Sequence, residues 1–140
     1  MPSDEQYVID TCDELLIFNA RRQYRFDFLI GLPSLKTNRR AKLPVDAFYP
    51  ELNLVVEYRE RQHTEPVTFW DTKPTACGLQ RGEQRKQYDE LRRVVLKDRG
   101  YHLVEIDFFD LAHDARKRLI RDIAKDKVAI RAKLANFLGT

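Results

Sequence analysis

The stretch LPVDAFYPELNLVVEYR, residues 43–59, decides how the rest of this chain reads. LPVDAFY (43–49) and LVVEYR (54–59) are rich in β-branched and aromatic residues. Pro50-Glu51-Leu52-Asn53 lies between them as a short turn, so the pair predicts a β-hairpin. If the hairpin closes symmetrically about 50–53, residue 46 faces 57, 45 faces 58 and 48 faces 55. Directly opposed side chains share a face, with Cβ atoms about 4.5–5.5 Å apart. Asp46 and Glu57 are then neighbours among Val45, Ala47, Phe48, Val55 and Val56, where little water reaches.

Two opposed carboxylates repel each other unless something compensates. A divalent cation does so, and magnesium is typically held by one or two carboxylates, with water and phosphate oxygens completing its octahedron. Such an ion activates water and neutralises charge on a phosphate under attack. Strand alternation places Arg59 on the same face as Glu57. A fixed cation there suits a phosphate and a developing negative charge, and its high pKa makes it a poor general base. Gln62 and His63 follow at the strand end. Gln62 suits positioning of water or phosphate, and His63 titrates near neutral pH. The same carboxylates and Arg59 also read as a solvent-facing charge network of a structural kind, and His63 as an ordinary surface residue.

Working outward, residues 4–19 read as a helix, with Val8, Ile9, Cys12, Leu15, Leu16 and Phe18 near helical spacing and Ser3 with Gln6 as a capping box. RFDFLI (25–30) is a strand ended by Gly31-Leu32-Pro33, and 34–42 is a basic loop. Residues 64–82 show no period and read as a loop or flap. A helix spans 83–98, with Gly100 as its C-terminal signal, and YHLVEID (101–107) is a strand. From about 109 one long helix is expected to the end, striped by Leu111, Ala115, Leu119, Ile123, Val128, Ile130, Leu134 and Phe137. The order α-β-β-β-α-β-α, with a helix able to cross between the last two strands, is an α/β class: a small mixed β-sheet flanked by helices.

The chain has 140 residues, 43% of them hydrophobic and 34% charged, which suits one domain with a solvated surface. Residues 1–140 are taken as a single domain, with 108–140 a C-terminal helical extension. No apolar run is long enough to cross a bilayer, and the start MPSDEQYVID lacks the pattern of a secretion signal. Cys12 and Cys77 lie far apart and outside any CxxC pairing, which fits a reducing cytoplasm and offers no thiolate zinc site. Net charge is +3, too small to argue a nucleic-acid partner. Its distribution says more. Clusters at 38–42, 81–86, 92–93 and 116–121 hold much of the positive charge, and phosphates near a carboxylate site need such charge close by.

VDAFYPELNLVVEYRERQH (45–63), followed by YDELRRVVLKDRGYHLVEID (88–107), resembles the PD-(D/E)xK nuclease superfamily, in the branch with very-short-patch-repair-like and small uncharacterised endonucleases. The positions that carry the likeness are Asp46, Glu57, the Gln62-His63 pair, then Tyr88, Asp89 and Arg92 ahead of Gly100. The resemblance covers most of 10–107. It implies a restriction-endonuclease-like core and cleavage of phosphodiester bonds, with DNA as the expected substrate, that depends on Mg2+ or Mn2+. Asp46 and Glu57 would be the metal ligands, Arg59 and Gln62 would orient phosphate and water, and His63 would assist proton transfer. The acidic residue such proteins often carry on the first helix would here be Glu14, near the metal. Arg39, Arg40, Lys42, Arg85, Lys86 and Arg92 would contact the nucleic-acid backbone. The superfamily's usual lysine, two residues after the Glu, is Arg59 here. It keeps the charge and loses the ability to give up a proton. Two rival readings stay open at this point: a nucleic-acid-binding or assembly module that kept the fold without catalysis, and an interaction protein that pairs with a second copy through its last helix.

Overall fold

A computed structural model describes residues 2–60 and 73–139. The chain begins with α1 (Asp4–Leu16). Ser3 starts it with the expected capping box: its Oγ accepts the Gln6 N–H at 3.1 Å, and its own N–H donates to Gln6 Oε1 at 2.9 Å. The helix stops short of residue 19. Ile17 takes a left-handed conformation (φ 61°) and donates its N–H to the Asp13 carbonyl, a terminating geometry that closes the last turn.

Strands β1 (Arg21–Ile30), β2 (Lys42–Tyr49) and β3 (Leu54–Arg59) follow, with a short 3-10 turn at Pro50–Leu52. Asn53 leaves that turn at φ 52°, a left-handed position that Asn tolerates better than most residues. The hairpin closes in the expected register, with Phe48 opposite Val55. Helix α2 (Arg81–Asp98) crosses over, and β4 (His102–Asp107) returns parallel to β3. The sheet runs β1-β2-β3-β4, antiparallel except for the last pair. Helix α3 (Ile123–Lys133) completes a small α/β fold.

The sheet is covered on both faces. On one, Val8, Ile9 and Cys12 of α1 pack with Tyr49, Val56 and Ile106 and with Ile130 and Leu134 from the C-terminal segment. On the other, Phe26, Leu29, Val45, Phe48 and Val55 pack with Leu96 of α2. β3 is buried along its whole length, as expected of a strand sandwiched between two layers. Burying one such apolar side chain contributes about 1.5–3 kcal/mol. That stabilisation is what lets β3 carry two charged residues, Glu57 and Arg59, into the interior.

The single long helix expected from about 109 is not formed. Residues 108–110 make a 3-10 turn in which Asp107 and Asp110 cap each other. Asp114 accepts the Arg116 and Arg118 N–H groups, both at 2.9 Å, and Lys117 and Arg121 adopt positive φ. Aspartates that bond nearby backbone N–H groups compete with helix, so the apolar stripe reaches the core in pieces. Nor is the tail an appendage. Ile130 and Leu134 are fully buried, and the fully buried Asp126 ties the Ala112 N–H (2.9 Å) and the Tyr7 hydroxyl to α3. Among the described residues, no helix is long and apolar enough to cross a membrane.

Candidate active site

The β2–β3 ladder ends one step before Asp46 and Glu57. Its pairs are Tyr49 with Leu54, Phe48 with Val55 and Ala47 with Val56. Beyond them the carboxylates take the strand N–H groups. Glu57 Oε2 accepts the Asp46 N–H at 2.7 Å, and Asp46 Oδ2 accepts the Tyr58 N–H at 2.8 Å. Side-chain alternation also fails here. Val45 packs in the core beneath α2 and Ala47, two residues on, in the core beneath α1. Beside it in β1, Gln23 takes a left-handed φ of 49°. An open strand end of this kind is where a sheet can turn polar side chains inward without losing backbone hydrogen bonds.

Asp46 and Glu57 line one cavity of about 170 Å3, together with Glu5, Arg59 and Arg92. Burial, then the neighbouring Asp46 charge, pushes Glu57 up to about 8, against the opposing pull of Arg92 and Arg59. Burial, then Asp46, likewise raises Glu5 to about 7. The Gln23 amide joins these groups, donating to Glu5 Oε2 at 2.7 Å and more weakly to Asp46 Oδ1 at 3.4 Å. The cavity is therefore short of positive charge, and it retains protons at a pH where exposed carboxyls have lost theirs.

The cations beside it are already engaged. Arg92 on α2 reaches Glu57 Oε1 (3.2 Å), the Pro44 carbonyl (3.1 Å) and Asp89 Oδ1 (3.2 Å). Arg59 donates to Asp89 (2.7 Å) and to Glu105 on β4 (Nε, 3.2 Å), and it stands 3.9 Å from Glu57. Arg93 closes the chain on Glu105 at 3.0 Å. The result is an alternating line, Glu57–Arg92–Asp89–Arg59–Glu105–Arg93, that locks β3, α2 and β4 together. Buried pairs of this kind persist when each member has hydrogen-bond partners, and here Asp89 and Arg59 are both nearly inaccessible.

Asp46 and Glu57 come together where the ladder ends, each carboxylate accepting an N–H of the opposite strand. Arg59 lies beside them, but its guanidinium is committed to Asp89 and Glu105. Arg92, expected to grip a nucleic-acid backbone, belongs instead to the buried network with Asp89. Glu14 does not line this cavity. It is exposed, paired with Lys127 at 2.6 Å, and nine residues along α1 from Glu5, which amounts to about 13 Å. Glu5, in the first turn, lines the cavity instead and shares the Gln23 amide with Asp46. Gln62 and His63 lie outside the described residues. Arg39, Arg40 and Lys86 are exposed and Arg85 half-buried, while the exposed Lys42 pairs with Asp27. A larger hollow of about 840 Å3, at the C-terminal end of α1, is mostly apolar and contains none of the network.

Among the described residues, no group of three or more His, Cys, Asp or Glu side chains is gathered to hold a metal ion. What the site presents is sparser: two converging carboxylates, with Asp46 Oδ1 only weakly engaged. That donor set fits a hard cation that keeps most of its water, as magnesium does, and does not fit a zinc-like cage. No family model matches the chain, and no curated protein or solved structure is similar enough to count as a match.

Proposed function

We propose that this chain is a metal-dependent nuclease that hydrolyses phosphodiester bonds in DNA. One observation carries the reading: Asp46 and Glu57 converge in a single cavity at an opened strand end, with too little positive charge around them to satisfy the four carboxylates that line it. In this reading Asp46 and Glu57 hold Mg2+ or Mn2+. The bound ion supplies an activated water and neutralises charge on the phosphate. Arg92 and Arg59 form a fixed cationic wall that steadies Glu57 and the approaching phosphate. Glu5 titrates near neutral pH, so it is suited to hold or release a proton at the rim of the cavity. The resemblance of 45–63 and 88–107 to PD-(D/E)xK nucleases supports the same roles, and the free thiols of Cys12 and Cys77 accord with a cytoplasmic setting.

The test is a Mg2+- or Mn2+-dependent cleavage assay on varied DNA and RNA, comparing wild type with Asp46→Ala. Loss of cleavage in the variant is expected, and equal cleavage by both rejects the site. A second reading, a nucleic-acid-binding module without catalysis, is favoured by the commitment of Arg59 to Asp89 and Glu105, where the superfamily uses a lysine. It gains if neither ion binds or stabilises the protein while DNA still binds with salt-dependent affinity.

A further inference from the structure

The link between β1 and β2 is built more firmly than a connection needs. Residues 31–42, GLPSLKTNRRAK, contain Lys36, Arg39, Arg40 and Lys42 and no acidic residue. Backbone hydrogen bonds close it at its base (Gly31 N–H to Ala41 O, 2.9 Å) and across its middle (Ser34 N–H to Arg39 O, 2.9 Å; Asn38 N–H to Ser34 O, 2.8 Å). Two further bonds fix it to its neighbours: the Leu35 N–H to the Ala76 carbonyl at 2.8 Å, and the Leu32 N–H to the Tyr88 hydroxyl at 3.0 Å. Gly31 makes room for that hydroxyl, since a Cβ there would lie 2.8 Å from it. Tyr88 and Arg92 are one turn apart on the same face of α2, so the anchor of this arm adjoins the carboxylate cavity.

What the arm presents is unusual for a surface loop. Lys36, Arg39 and Arg40 are exposed, with no ion-pair partner among the described residues, whereas most cations around the network are paired. Between them and the anchor stands Leu35, 75% exposed. It is braced from one side by Gly78, whose φ of +90° and lack of a Cβ both serve the contact, because a Cβ would meet Leu35 Cδ1 at 2.6 Å. A rigid mount that holds an apolar side chain out in water, flanked by unpaired cations, matches the chemistry of proteins that grip duplex phosphates and press an apolar wedge into a base step.

We infer that residues 31–42 form a duplex-DNA arm in which Lys36, Arg39 and Arg40 hold backbone phosphates and Leu35 enters the base stack beside the cavity. The inference rests on the reading of this chain as a protein that acts on DNA, but not on cleavage. It is tested on the full chain in EDTA, where the carboxylate site is idle, so that failure of the arm and failure of the nuclease reading are told apart. The probe is a duplex carrying 2-aminopurine, whose fluorescence rises on unstacking, compared with the same sequence as single strand and as RNA duplex. Wild type is expected to prefer duplex DNA and to raise the fluorescence. Leu35→Ala should abolish the rise and weaken binding roughly 10-fold with an unchanged salt dependence. Arg39→Ala/Arg40→Ala should lower the slope of log affinity against log salt by about 2. Both substitutions are at exposed positions, and unchanged thermal melting certifies the fold. No fluorescence rise with wild type, a rise that survives Leu35→Ala, an unchanged slope in the double variant, or stronger binding to single strand or RNA duplex each overturns the proposal.

Discussion

Asp46→Asn removes one charge from the cavity and almost nothing else, because the amide oxygen can still accept the Tyr58 N–H. Two carboxylates sharing one small cavity, taken at about 5 Å and an effective dielectric near 20, repel by about 3 kcal/mol. Replacing a charge-assisted hydrogen bond with a neutral one gives back about 1 kcal/mol, so relief of about 1–2 kcal/mol remains where Glu57 is ionised. That condition depends on pH. Glu57 and Glu5 are raised to about 8 and about 7, so between roughly pH 4.5 and 8 the folded chain binds more protons than the unfolded one. Stability of the metal-free wild type must therefore fall as pH rises through that window. The variant should melt about 3–6 °C above wild type at pH 9 in EDTA, given about 3 °C per kcal/mol for a chain of this length, with the gap closing toward pH 5. Added Mn2+ at 100 times its dissociation constant should raise the wild-type melting point by about 8 °C, corresponding to about 2.7 kcal/mol, and should leave the variant unmoved. Differential scanning calorimetry at pH 5, 7 and 9 with and without Mn2+ reads every arm. A variant less stable than wild type at pH 9 without metal, or one that keeps the Mn2+ shift, refutes the reasoning.

The remaining predictions separate the parts of the site. Arg59→Lys replaces a fork bonded to two carboxylates with a point charge, and should lower stability by about 2–4 kcal/mol by urea titration; a change below 0.5 kcal/mol would show that the network does not hold the layers together. Glu14→Ala disrupts an exposed pair with Lys127 and should cost under about 1 kcal/mol and leave cleavage intact, whereas Glu5→Gln should reduce cleavage about 10–100-fold; the opposite ranking would restore Glu14 to the site. Gln23→Gly relieves a left-handed backbone worth about 1 kcal/mol, yet it removes the amide bridge from Glu5 to Asp46. It should therefore melt higher and bind Mn2+ more weakly by isothermal titration calorimetry, and unchanged Mn2+ affinity would show the bridge to be idle.

The hairpin was legible because its determinants are local. Two β-rich runs about a four-residue Pro–Asn turn leave one sensible register, and that register brings Asp46 and Glu57 close together, although the ladder itself stops at Ala47 and Val56. The start of α1 was equally local, written in Ser3 and Gln6. The overrun at the C-terminus has a physical cause: Leu111, Leu119 and Ile123 keep roughly helical spacing, but Asp107, Asp110 and Asp114 bond nearby N–H groups and break the run, and spacing alone does not weigh that competition.

The sequence by itself therefore determined the element types as far as β4, the hairpin register and the acidic pair within it, since each depends on residues only a few positions apart. Only the tertiary structure decided which end of α1 covers the site, and so that Glu5 rather than Glu14 belongs there. It alone set Glu105 opposite Glu57 in the parallel β3–β4 pair and drew Arg59, Asp89 and Arg92 into one buried line. These outcomes follow from how whole layers pack. Contacts between residues tens of positions apart are fixed by the burial of two apolar cores at once, and no short segment carries that information.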